Sequence, residues 1–109
     1  MKKYILLIAA AMLMTANSIA AKEEHGNIKA GGACGMCKSR IEKAAKSVEG
    51  VTLATWDQKT QQLHVHFDDG KASVEAISKA VAKSGHDAGS IKADDATYES
   101  LPDCCKYRK

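Results

Sequence analysis

The chain has no apolar run long enough to span a bilayer. Lys2 and Lys3 precede an uncharged apolar segment, residues 4–14, which falls short of the roughly 20 residues that a membrane-crossing helix requires. Thr15, Asn17 and Ser18 weaken its end. Ser18-Ile19-Ala20 then places small residues where a signal peptidase reads, so residues 1–20 are expected to be a signal peptide cleaved after Ala20 or Ala21. An exported, periplasmic protein with no stable membrane insertion after cleavage follows. Methionine is scarce once that segment is gone: of four, only Met36 remains, which excludes a methionine-rich metal site. Charge of one sign is also missing. Loss of Lys2 and Lys3 leaves 14 basic against 13 acidic residues, too even a balance for the dense basic patch that nucleic acid needs. The single proline, Pro102, stands near the C-terminal end. There is no internal repeat and no low-complexity linker, and 109 residues suffice for one domain.

What is present is four cysteines in an unusual arrangement. Cys34 and Cys37 are three apart, and Cys104 and Cys105 are adjacent. Exported proteins with an even cysteine count default to disulfides. Here an adjacent-pair disulfide would be a strained ring, and neither local pair closes a loop long enough to restrict the unfolded chain much. The pattern suits chemistry better than stapling.

Cys34 and Cys37 lie in the stretch Gly31-Gly32-Ala33-Cys34-Gly35-Met36-Cys37-Lys38-Ser39-Arg40-Ile41. Its glycines give short reach and flexibility, and a helical pattern begins inside it. A helix N-terminus favours a nearby negative charge by roughly 0.3–1 kcal/mol in exposed settings. Thiolates held there can grip a soft metal or exchange disulfides. Thiolate ligands select Cu(I) and Hg(II) and also bind Zn(II). Two sulfurs span a near-linear site, which Cu(I) and Hg(II) tolerate, whereas Zn(II) prefers four ligands. Haem attachment is excluded, because Lys38 follows Cys37 where a histidine is required. A periplasmic thiol–disulfide oxidoreductase using the same C-x-x-C is the alternative. Against it stand the lack of proline in the body of the domain, from which a facing cis-proline loop would be built, and the glycine-rich rather than aromatic approach to the cysteines. A structural or adaptor module with oxidised cysteines is a third reading.

Periodicity supplies the frame. Residues 22–26 are polar and expected to fray, which leaves His25 without a role; Ile28 and Ala30 suggest a short strand into the cysteines. Cys37, Ile41, Ala44, Ala45 and Val48 make one helical face, with Lys38, Glu42, Lys43 and Lys46 on the wet side and Gly50 as the stop. Residues 51–56 read as a strand with Ala54 and Trp56 inward, since a tryptophan is costly to leave wet. After the turn at residues 57–60, Leu63, Val65 and Phe67 alternate with His64 and His66. Ser73 caps a second helix with Val74, Ile77, Ala80, Val81 and Ala82 as its apolar stripe, and Gly85 ends it. A weak last strand is expected over residues 88–93. The order β-α-β-β-α-β predicts an α+β, ferredoxin-like fold: a four-stranded antiparallel sheet with both helices on one face. Residues 21–93 form this domain, and residues 94–109 form a cysteine-containing tail.

The cysteine stretch, Ile41-Glu42-Lys43-Ala44, Val48-Glu49-Gly50-Val51 and Gly85-His86-Asp87-Ala88 together resemble the heavy-metal-associated domain family over about residues 26–93. Val48-Glu49-Gly50-Val51 and residues 67–74 are similar to its periplasmic mercury-binding members. The resemblance implies a carrier, not an enzyme. It would take up Cu(I), or else Hg(II), through Cys34 and Cys37 and pass it by ligand exchange to a metal-transporting membrane protein or efflux system. Two departures have consequences. The family's methionine two residues before the first cysteine is Gly32 here, so a looser loop is expected. His86 stands where a tyrosine is commoner, and its loop would lie beside the metal loop.

Further ligands are possible. His86 could coordinate or hydrogen-bond a thiolate. Cys104 and Cys105 could fold back, raising the coordination number toward Zn(II) or a Cu(I) cluster, or could lock the C-x-x-C by a disulfide. His64 and His66, about 7 Å apart by strand rise, could pair on a metal but suit a solvated face equally. Lys38, Lys43 and Lys46 could meet an acidic partner, though a solvated helix face explains them as well.

Overall fold

A computed structural model describes residues 22–108; the expected signal segment lies outside them. The alternating apolar residues of the central segment build the sheet. Strand β3 (Gln62–Asp68) turns Leu63, Val65 and Phe67 to one face. It is flanked by β1 (Glu23–Lys29) and β2 (Val51–Asp57), both antiparallel to it, in the order β1-β3-β2. Helix α1 (Gly35–Lys46) buries Cys37, Ile41 and Ala45, and α2 (Val74–Lys83) buries Ile77, Ser78, Val81 and Ala82. Of these, Cys37, Ile41, Ala45, Ile77 and Val81 join Ile28, Ala54, Trp56, Leu63 and Val65 in one core. Ser73 caps α2 by accepting a 3.1 Å hydrogen bond from the Ala76 amide. Gly50 ends the segment after α1 at φ +98°, in the left-handed region open to glycine. Val74, at the first turn of α2, stays exposed, with its Cγ2 over Gly26.

Two expectations are corrected. The N-terminal residues do not fray: β1 begins at Glu23, since pairing from Glu23↔Asp68 to Lys29↔Gln62 satisfies its backbone along its length. The sheet has three strands among the described residues, not four. Where the fourth was expected, only Ala88 bridges to Ala30, beside the end of β1. Gly89 has φ +58°, and the Ala88 and Ile91 amides and carbonyls bond to each other at 2.9 and 3.0 Å, so the chain reverses before a strand can propagate. Beyond residue 93 the tail packs back onto the domain. It adds a short helix, α3 (Asp95–Glu99), and a 3-10 turn (Asp103–Cys105), and it buries Tyr98, Leu101 and Cys105 against the domain. No helix among the described residues is long and apolar enough to cross a membrane.

Candidate metal site

The cysteine loop is held from below by one tryptophan. Trp56 is almost fully buried, and its indole Nε1 donates to the Ala30 carbonyl at 3.0 Å. A Cβ on Gly32 would lie 2.9 Å from the Trp56 ring and 3.0 Å from Cys37 Cβ, so no side chain fits there. The Gly32 amide donates to Gln61 Oε1 at 3.1 Å, and Gln58 Nε2 donates to the Ala33 carbonyl at 3.0 Å. The expected looseness at Gly32 is therefore absent: the ring takes the space under the loop and glutamines tie its backbone. Cys34 is the N-cap residue of α1, half-buried, and Cys37 lies in the first turn, fully buried. Their sulfurs are 3.4 Å apart, and the Ala33 amide donates to Cys37 Sγ at 3.4 Å.

The tail lays its thiols on this pair. Cys34 Sγ is 3.0 Å from Cys104 Sγ and 3.6 Å from Cys105 Sγ, and the two tail sulfurs are 4.0 Å apart. All four cysteines are free thiols. Tyr107 and Arg108 hold the tail in place. Tyr107 Oη accepts from the Asp87 amide at 2.6 Å and donates to the Gly85 carbonyl at 3.2 Å. Arg108 pairs with Asp87 Oδ1 at 2.6 Å, donates to the Ala93 carbonyl at 2.7 Å, and covers the Tyr98 ring 4.4 Å from its centroid.

His86 sits beneath the thiols with no solvent exposure and is stacked with Tyr107. Its Nδ1 is 2.7 Å from the Gly31 carbonyl oxygen. A carbonyl only accepts, so Nδ1 carries the proton and Nε2 of the neutral ring keeps a lone pair. That Nε2 is buried and has no hydrogen-bond partner. Burial pushes the His86 pKa down, against the pull of the Gly31 carbonyl, and so favours the neutral, ligating form. Donor atoms of Cys37, His86 and Cys105 lie within 4.8 Å of one another, as do those of Cys34, Cys104 and Cys105.

The thiols are not equivalent. The Cys104 thiol beside Cys34, helped by the Cys37 amide, brings the Cys34 pKa down to about 6, so Cys34 is largely thiolate at neutral pH. Cys105 is pushed far up by burial, and Cys104 is raised by its contact with Cys34. An anionic Cys34 sulfur beside the neutral Cys104 and Cys105 thiols is a seat for a soft cation, each of those thiols giving up its proton as it ligates.

Comparison with known proteins agrees. Residues 28–87, more than half of the chain, match the heavy-metal-associated domain model. The chain belongs to the heavy-metal-associated domain family. It is 37% identical over 57 residues to the copper chaperone CopZ of Staphylococcus aureus (strain JH9), covering 52% of this chain and 84% of that protein. The structure of oxidized MerP from Ralstonia metallidurans CH34 superposes with a TM-score of 0.60 at 32% identity, covering 62% of this chain and 96% of MerP. The N-terminal domain of a potential copper-translocating P-type ATPase from Bacillus subtilis, in the Cu(I)-loaded state, gives 0.59 at 28% identity, covering 68% and 94%. The family match ends at Asp87, so the tail that delivers Cys104 and Cys105 lies beyond it.

Among the sequence-predicted residues, the fold thus gathers Cys34, Cys37, His86, Cys104 and Cys105. It does not pair His64 with His66. His64 hydrogen-bonds Asn27, directly opposite it on β1, and His66 stacks on His25, opposite it in turn, with centroids 3.8 Å apart. Residues facing across a ladder are nearer than residues two apart on one strand. Glu23 joins His25 and His66 in a third group of possible donors on that open face. Lys38 is bonded within its own domain, donating to Glu42 at 2.6 Å and to the Trp56 carbonyl at 3.0 Å. Sequence reasoning missed Asp87, Tyr107 and Arg108. Gly31 was the available signal: a Cβ there would stand 2.5 Å from the Tyr107 ring, so its bareness is required by the tail.

Proposed function

We propose that the protein is an exported carrier of Cu(I). Cys34 and Cys37 capture the cargo, Cys104, Cys105 and His86 stand beside them as further ligands, and a metal-transporting membrane protein receives it by ligand exchange. The observation that carries this reading is the convergence of four free thiols and one unpartnered imidazole nitrogen at the helix start. Soft sulfur donors with a neutral imidazole suit Cu(I); Hg(II) asks for nearly the same ligands, and Zn(II) would accept four of them. Likeness to a copper chaperone and to a domain of a potential copper-translocating ATPase supports copper as cargo and an ATPase as recipient. Likeness to MerP keeps Hg(II) as the second cargo. The signal-like N-terminus supports a periplasmic site of action. Transfer by exchange of thiolates swaps metal–ligand bonds and leaves the ion chemically unchanged, so the protein is read as a carrier and not an enzyme.

The test is native mass spectrometry of the reduced protein with competing Cu(I), Hg(II) and Zn(II). Cu(I) uptake is expected in the parent and is lost in Cys34→Ser/Cys37→Ser. Undiminished affinity in that double variant would overturn the proposal. If Cys104→Ser/Cys105→Ser keeps full affinity, the tail has no part in binding.

A further inference from the structure

We propose that the site holds two Cu(I) ions at once, bridged by Cys105 Sγ, with one ion sealed in the protein and the other open to exchange. This rests on the soft-cation reading above and concerns its capacity. The donors fall into two triads. The outer triad is Cys34, Cys104 and Cys105, with sulfur separations of 3.0, 3.6 and 4.0 Å. The inner triad is Cys37, His86 and Cys105, whose donor atoms lie within 4.8 Å of one another. Cys105 alone belongs to both.

A single ion cannot use this set. A near-linear ion would leave three of the five donors idle, and a tetrahedral one would leave one. Three-coordinate Cu(I) in each triad uses every donor, because a thiolate has lone pairs enough to bridge two soft cations. A second cation also offsets part of the charge that four thiolates would otherwise crowd together. Loading forms Cu–S and Cu–N bonds and sends the thiol protons to solvent; no electron is transferred.

The orphaned His86 Nε2 is an independent reason to expect an inner ligand. It is buried, it carries a lone pair, and nothing in the protein satisfies it. A buried polar atom without a partner calls for a functional explanation, and an ion shared with Cys37 and Cys105 supplies one. The triads differ in access. Cys37, His86 and Cys105 have no solvent exposure, whereas Cys34 is half-buried and Cys104 exposed. A partner's thiolates can therefore reach the outer ion directly, while the inner one leaves only after the tail lifts.

The experiment is titration of the reduced protein with Cu(I) in the presence of a competing Cu(I) chelator. Stoichiometry is read per monomer by native mass spectrometry, and X-ray absorption is recorded on the saturated protein. Two ions per monomer and a Cu–Cu scattering shell are expected for the parent. Cys104→Ser, at an exposed position, is expected to keep one ion and lose the Cu–Cu shell. His86→Asn is expected to keep only the outer ion, and Cys105→Ser to keep no more than one. One ion per monomer in the parent would overturn this inference and leave the carrier reading intact. Uptake of none would overturn both. Two ions in Cys105→Ser, two ions without Cu–Cu scattering, or ions shared only across a dimer would each overturn the bridge.

Discussion

The tail should be removable from the metal loop by adding one carbon atom. In Gly31→Ala the new Cβ would lie 2.5, 2.9 and 3.0 Å from Tyr107 Cε2, Cδ2 and Cζ. Gly31 is not among the positive-φ residues, so the backbone itself accepts alanine. A ring is rigid, and Tyr107 cannot shift without straining its hydrogen bonds to Asp87 and Gly85 and its edge contact with Tyr98, 5.2 Å between centroids. Overpacking of this kind costs about 1–3 kcal/mol, and a weakened hydrogen bond about 1 kcal/mol. These overlap, so about 2 kcal/mol is a fair figure for the loss of docking energy, which raises the open fraction of the tail about 30-fold at 1.4 kcal/mol per tenfold. Cys105 reports it, because it is fully buried when the tail is down. When opening is fast relative to chemistry, its rate of alkylation follows the open population. Pulsed alkylation, read residue by residue by mass spectrometry, should therefore show Cys105 labelled about 30-fold faster in Gly31→Ala. Gly35→Ala is the control: nothing lies within 4 Å of the Cβ it would add, and it should label like the parent. An unchanged Cys105 rate in Gly31→Ala, or an equal rise in both variants, would refute the docking mechanism.

Cys34 should alkylate with a rate that rises through a midpoint near pH 6. Changing Cys104 to alanine should move that midpoint upward, since the hydrogen bond of the Cys104 thiol is the largest cause of the depression; a midpoint that stays put would remove Cys104 from the account. Trp56→Phe leaves the Ala30 carbonyl without its indole donor and opens space under Gly32; a loss of about 1–3 kcal/mol is expected in urea unfolding. Glu42 accepts from Lys38 Nζ at 2.6 Å and from the Trp56 amide at 2.9 Å. Burial works against its charge, but those two donors prevail and hold its pKa below the usual carboxylate range. A carboxyl depressed on folding stabilises above its unfolded pKa and loses that contribution as pH falls through the folded value. The melting temperatures of the parent and Glu42→Gln should therefore differ at neutral pH and converge in acid. A gap that persists in strong acid would show that the charge is not its source.

Much of the fold follows from periodicity and punctuation along the chain. The alternation at Leu63, Val65 and Phe67, the helical spacing of Cys37, Ile41 and Ala45, the Ser73 cap and the stop at Gly50 are local facts with local causes. The C-x-x-C before a helix is of the same kind, and it narrows the chemistry to soft-cation binding or thiol–disulfide exchange. What the tertiary structure decided depends on contacts between residues far apart in sequence. The expected fourth strand became a single bridge because the chain reverses at Gly89, where Ala88 and Ile91 bond each other. His25 gained a neighbour through strand register, and Gly32 proved to be filled by Trp56 rather than empty. Cys104 lies 70 residues from Cys34, and no spacing rule relates thiols across that interval. Only the docking of Leu101, Tyr107 and Arg108 onto the loop brings them together, since side-chain packing at a distance is set by shape and not by sequence pattern.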